Sequence, residues 1–130
     1  MPKISFYVTA IALTFFIQPA QATHADRAKA DCQEAMTQIA MNQCAAEAYK
    51  SEDALLNQNY KALRAKLSAE QKADLKNIQL TWLEYRDQHC AFESARYEGG
   101  SIYPLIVSGC LHKLTMQRNS VLGDMLSQAQ

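Results

Sequence analysis

Four cysteines, three histidines and an Arg-Asp pair are the side chains of this sequence with reactive potential. Cys32, Cys44, Cys90 and Cys110 could form two disulfides, hold a metal or exchange thiols. A zinc site needs donors that converge. His89 adjoins Cys90 and His112 follows Cys110 by two positions, so on a helix the members of each pair point about 100° and about 200° apart. Neither pair aims at one ion, and no metal or other cofactor is expected. Thiol exchange would use Cys-x-x-Cys, which the sequence lacks. A hydrolase would need a nucleophile, a base and an orienting acid, and His24, His89 and His112 fall into no such arrangement. Ser101 and His112 lie about three helical turns apart, too far for a hydrogen bond on one helix. The sequence therefore reads as a non-enzyme, with its cysteines serving structure.

The compartment supports that use. Lys3 precedes an apolar run from Ile4 to Ile17, then Pro19 and the small-x-small pattern Ala20-Gln21-Ala22. A run of about 14 apolar residues is shorter than the roughly 20 that cross a bilayer, so residues 1–22 are expected to be a cleaved export signal. Residues 23–130 would be the mature domain, periplasmic or secreted, with no membrane anchor after cleavage. Outside the cytosol an even set of cysteines becomes disulfides. Losing Lys3 from 13 basic residues leaves them one short of the 13 acidic ones, a net charge of −1. That balance, without a basic cluster, excludes a nucleic-acid footprint.

The positioning elements read as helices. Glycine and proline are almost missing between Thr23 and Glu98, where Ala, Leu, Gln, Glu and Lys prevail, a composition of good helix formers. A first face from Thr37 carries Met41, Cys44, Ala48, Leu55, Asn59, Leu63 and Leu67. Ser68-Ala69-Glu70-Gln71 matches a capping box and predicts a second helix from Ala69, with Leu75, Ile78, Trp82, Tyr85 and Phe92 inward. Gly99-Gly100 should end it. Ser101 as N-cap and Pro104 in the first turn open a third helix from Ile102 to about Leu126, burying Leu105, Ile106, Cys110, Leu114, Val121 and Leu122, with a frayed tail from Ser127. The fold class is all-α: an antiparallel three-helix bundle of helical hairpins stapled by two disulfides.

Hairpin arithmetic sets the pairing. Cys90 precedes Gly99 by nine residues and Cys110 follows Gly100 by ten, so each lies roughly 14 to 15 Å from the turn. Antiparallel helices bring them side by side, which leaves Cys32 for Cys44.

The motifs Met41-Asn42-x-Cys44, Leu56-Asn57-x-x-Tyr60, Trp82-x-x-Tyr85-Arg86-Asp87-x-x-Cys90, Gly99-Gly100-Ser101, Cys110 and Leu114-Thr115-x-x-Arg118 resemble, in order and spacing, the small secreted bacterial proteins named after the lysozyme inhibitor LprI. The resemblance spans about Cys32 to Leu122. It implies a protein partner, lysozyme or another cell-wall hydrolase first, and it transfers no inhibitory site. An immunity-type protein against an exported toxin, or a non-inhibitory envelope assembly factor, would use the same scaffold. Trp82, Tyr85 and Phe92 follow helical spacing and read as core. Arg86 and Asp87 diverge as helix neighbours, so each should meet a distant partner, Arg118 being the one for Asp87. The exposed turn of Gly99, Gly100 and Ser101 with Tyr103 is the expected partner-binding tip.

Overall fold

The computed structural model describes Cys32 and residues 34–129. The expected export signal, its cleavage pattern and His24 lie outside these described residues. Three long helices make the fold: α1, Gln38–Ala65; α2, Ala69–Ser94; and α3, Tyr103–Gln128. No strand occurs among the described residues, in agreement with the all-α expectation. α1 and α3 run in one direction and pack on each other most extensively, and α2 runs back against α3.

Each boundary has a local cause. The Thr37 hydroxyl accepts from the Ala40 amide and opens α1. At α2 the expected capping box is complete: the Gln71 amide donates to Ser68 Oγ at 3.3 Å, and the Ser68 amide donates to Gln71 Oε1 at 3.0 Å. Ser68→Ala is expected to cost about 1 kcal/mol, readable as a lowered urea midpoint with an unchanged slope. α2 ends earlier than the glycines suggest. The Ser94 hydroxyl is wholly buried and donates to the Cys90 carbonyl at 2.8 Å, and one 3-10 turn, Ala95–Tyr97, follows. Gly99 then takes φ +79°, a conformation that side chains with a Cβ resist. Ser101 does not cap α3. Ile102 holds the N-cap position without a side-chain hydrogen bond, and Pro104 sits in the first turn as expected.

Both disulfides form as the hairpin register requires: Cys32–Cys44 with a Cα separation of 5.4 Å and Cys90–Cys110 with 5.6 Å. Around them the apolar core divides in two. Leu56, Leu63, Leu75 and Leu122 form one cluster at the end away from the Gly99 turn. Cys90, Cys110 and Leu114 form the other, and Trp82 packs against both.

The inward arcs differ from the expected ones. In α1 Leu56 is buried, whereas Leu55 and Ala48 face solvent. In α3 Leu122 is wholly enclosed while Val121 is exposed. The largest correction falls on α2. Leu75 is inside, but Ile78, Tyr85 and Phe92 lie outside at 54%, 54% and 85% exposure. The inner arc carries Leu75, Gln79, Arg86, Cys90 and Ser94 instead. Polar residues took these places because the space between the two apolar clusters is filled by a hydrogen-bonded layer.

Candidate functional site

That layer is built around Arg86, which the bundle buries to 6% exposure. Its Nε donates to Asp87 Oδ1 at 2.9 Å, and one terminal nitrogen donates to Asp53 Oδ1 of α1 at 3.3 Å and to Thr115 Oγ1 of α3 at 3.4 Å. One side chain thus joins all three helices. The guanidinium also lies over the Trp82 ring at 5.3 Å and the Tyr49 ring at 5.5 Å, a stacking that favours arginine when water is excluded. Burial raises the Tyr49 pKa above its ordinary value, with the Arg86 charge opposing the shift.

The expected pairing of Asp87 with Arg118 does not occur. Asp87 accepts from its own neighbour Arg86, because the long arginine stem folds back along the helix. Arg118 instead donates from Nε to Gln79 Oε1 at 3.0 Å and stands 5.9 Å from the Trp82 ring. Trp82 therefore contacts both arginines. The Arg118 Nη2 atom is buried without a hydrogen-bond partner, and burial lowers the Arg118 pKa.

Asn119 extends the layer toward α1. Its amide donates to the Glu52 carbonyl at 2.9 Å and to Glu52 Oε1 at 2.7 Å, while its Oδ1 accepts from Asn59 at 3.2 Å. Asn119, Gln79, Glu52 and Asp53 were not singled out by the sequence. An asparagine at position 59 on an otherwise apolar face was the one available signal, since a polar group facing inward must find a partner.

At the opposite end the Gly99 turn is held down. Asn42 Nδ2 donates to the Ser101 carbonyl at 3.0 Å and Asn42 Oδ1 accepts from Gln38 at 2.8 Å. Gly99, Gly100 and Ser101 are exposed and Tyr103 is half-buried. The turn is thus presented to solvent on a fixed mount. Between α1 and α2, Tyr49, Tyr60, Leu80 and Leu83 border a groove of about 470 Å³. His89 and Glu93 approach each other at 3.3 Å beside the Cys110 sulfur. That sulfur belongs to the bridge and offers no thiolate. The pairs His89 with Cys90 and Cys110 with His112 supply no common ligand set among the described residues.

The arrangement defines a class: a small all-helical module, stapled by two disulfides, whose inward polar groups join three helices. Within that class, the family model described as "Lysozyme inhibitor LprI" matches residues 28–122, and the chain belongs to this family. It is also 31% identical to "Uncharacterized protein R02472" of Rhizobium meliloti (strain 1021), over 92% of this chain and 95% of that protein. No solved structure matches the chain. Among the motif residues singled out in the sequence, Asn42, Leu56, Trp82, Arg86, Leu114, Thr115 and Arg118 carry inward packing or hydrogen bonds of the layer and its mounts.

Proposed function

We propose that the chain works outside the cytoplasm, after removal of residues 1–22, as a protein-binding module that blocks a lysozyme-type wall hydrolase and performs no chemistry itself. The family match over residues 28–122 carries this reading. It begins downstream of the expected cleavage point, and two disulfides suit an oxidising compartment. Among the described residues no helix is long and apolar enough to cross a membrane. The inward polar side chains also suit a scaffold better than an active centre, since Arg86, Arg118 and Asn119 are engaged with neighbouring helices. The exposed turn at Gly99, Gly100 and Ser101, steadied by Asn42, offers one rigid contact for such a partner.

The test is residual muramidase activity of several lysozymes, and of wall amidases as a comparison, in the presence of the mature oxidised domain. Saturable loss of lysozyme activity is expected. Inertness toward every lysozyme would remove the reading, and inhibition confined to an amidase or an exported toxin would move the chain to the immunity class.

A further inference from the structure

We propose that the outer face of α2, along Ile78, Tyr85 and Phe92, is the main docking surface, and that the partner meets it with a cationic protein surface. The proposal rests on the protein-binding function above and assigns the place and the chemistry of contact. The three residues are spaced by seven and share one arc of the helix, covering about 21 Å of its length. They stand 54%, 54% and 85% exposed, although the fold has an apolar core in which they could have been used. Single exposed apolar residues are ordinary on a soluble protein, but a row of three large ones is the signature of a contact face.

The charge around the row is biased toward acid. Asp74 shares this arc and Glu70 lies about 60° from it, with Glu93 and Glu84 flanking it at about 80° and about 100°, whereas Lys72 and Lys76 stand toward the far side of the helix. Arg86, about as far from the row as Glu84, is buried and matched by Asp53 and Asp87. From α3, Arg118 reaches the edge of the row but is drawn toward Gln79 and Trp82. Arg96, beyond the end of α2, stacks on Tyr97 at 4.9 Å. His89 packs 5.6 Å from the Tyr85 ring and approaches Glu93 at 3.3 Å, so the aromatic anchor and one acid are already ordered. Beside Tyr85 a recess of about 470 Å³, bordered by Ile78, Thr81, Trp82 and Arg118, is open to a partner side chain.

Aromatic anchors rimmed by acids select a basic counterpart through local complementarity. At a net charge of −1 for the mature chain, there is no whole-molecule field to do it at long range. A cationic wall hydrolase fits this face, whereas an acidic protein would meet Glu84 and Glu93 head-on.

The experiment measures binding of the mature oxidised chain to a cationic chicken-type lysozyme at low and high salt. It compares the wild type with Phe92→Ser, Tyr85→Ala, the double variant Glu84→Lys/Glu93→Lys, and Tyr103→Ala beside the Gly99 turn. Because Tyr85 and Phe92 are exposed, their single variants should keep the wild-type melting temperature. Phe92→Ser and Tyr85→Ala are expected to weaken binding about thirtyfold each, and the charge reversal should weaken it and flatten the salt dependence. Wild-type binding that only Tyr103→Ala disturbs, or that no α2 variant changes, overturns the docking face and leaves the protein-binding function standing. Failure of the wild type to bind this cationic lysozyme overturns the docking proposal, and the protein-binding function falls with it only if every lysozyme of the activity panel is also unaffected. Sedimentation is run in parallel, and a dimer of this chain that Phe92→Ser dissolves would show the face to be covered by a second copy, which also overturns the proposal.

Discussion

Replacing Cys90 and Cys110 together by alanine is expected to lower stability by about 3 kcal/mol, the chain-entropy value for a loop of this size. For a domain of roughly 100 residues that is a fall of about 10–20 °C in melting temperature. The bridge spans 20 positions of sequence, joins α2 to α3, and is almost wholly enclosed, Cys90 at 1% and Cys110 at 4% exposure. It sits in the smaller apolar cluster, where Leu114 and Trp82 are its chief neighbours. Opening it frees the hairpin end that the Leu122 cluster does not reach. Loop arithmetic alone gives the Cys32–Cys44 bridge, with a separation of 12, nearly the same value. The fold separates them. Cys32 precedes α1, so its release does not part α1 from α3, and the Cys32→Ala/Cys44→Ala chain should lose less than half as much. Thermal unfolding by circular dichroism of the three proteins measures both effects. Equal losses would mean that the segment before α1 is as much a part of the cooperative unit as the hairpin.

Much of this framework is legible in the sequence because it rests on local signals of fixed geometry. The capping box at Ser68 and Gln71 starts α2 where it should, and nearly equal distances of Cys90 and Cys110 from the double glycine fix which sulfurs meet. Those inferences need only the rise of a helix and the hydrogen-bond needs of its first turn. The inward arc of α2 was not legible, for a physical reason. Periodicity assigns the arc with the most apolar side chains to the core, and on this helix that arc is Ile78, Tyr85 and Phe92. The core chose Gln79, Arg86 and Ser94 because partners for them arrive from elsewhere: Arg118 for Gln79, Asp53 and Thr115 for Arg86, and the Cys90 carbonyl for Ser94. A buried polar group is affordable only when its partners are in place. Those partners lie 29 to 39 positions away for the first two residues, beyond anything helical spacing reports. The Arg86–Asp87 contact escaped for the opposite reason. Cα–Cβ directions diverge at neighbouring positions, but an arginine stem is long enough to fold back.

Arg86→Ala is expected to cost about 3 kcal/mol or more, comparable with loss of the inter-helix bridge. The side chain fills the space between the two apolar clusters, so its removal leaves a cavity as a large core truncation does. It also removes the stacking on Trp82 and Tyr49 and the contact with Thr115, which is wholly buried. The two carboxylates are not stranded in the same way. Asp53 and Asp87 retain 38% and 61% side-chain exposure and can return to water, so the usual penalty for orphaning a buried charge is reduced. From this follows an order among three replacements. Met restores the apolar stem and abandons the charge, and should recover more than half of the loss. Lys keeps the charge but cannot donate from a planar fork to Asp87, Asp53 and Thr115 together or stack between two rings. It therefore places a strongly hydrated ammonium where little water reaches, and should fall between Ala and Met. Denaturant unfolding of the four proteins gives the ranking directly. A lysine variant as stable as the wild type would mean that charge alone holds the layer. A methionine variant that is equally stable but binds its partner more weakly would mean that Arg86 sets the relative register of α1, α2 and α3, and so the shape of the α2 face, more than it sets the free energy of folding.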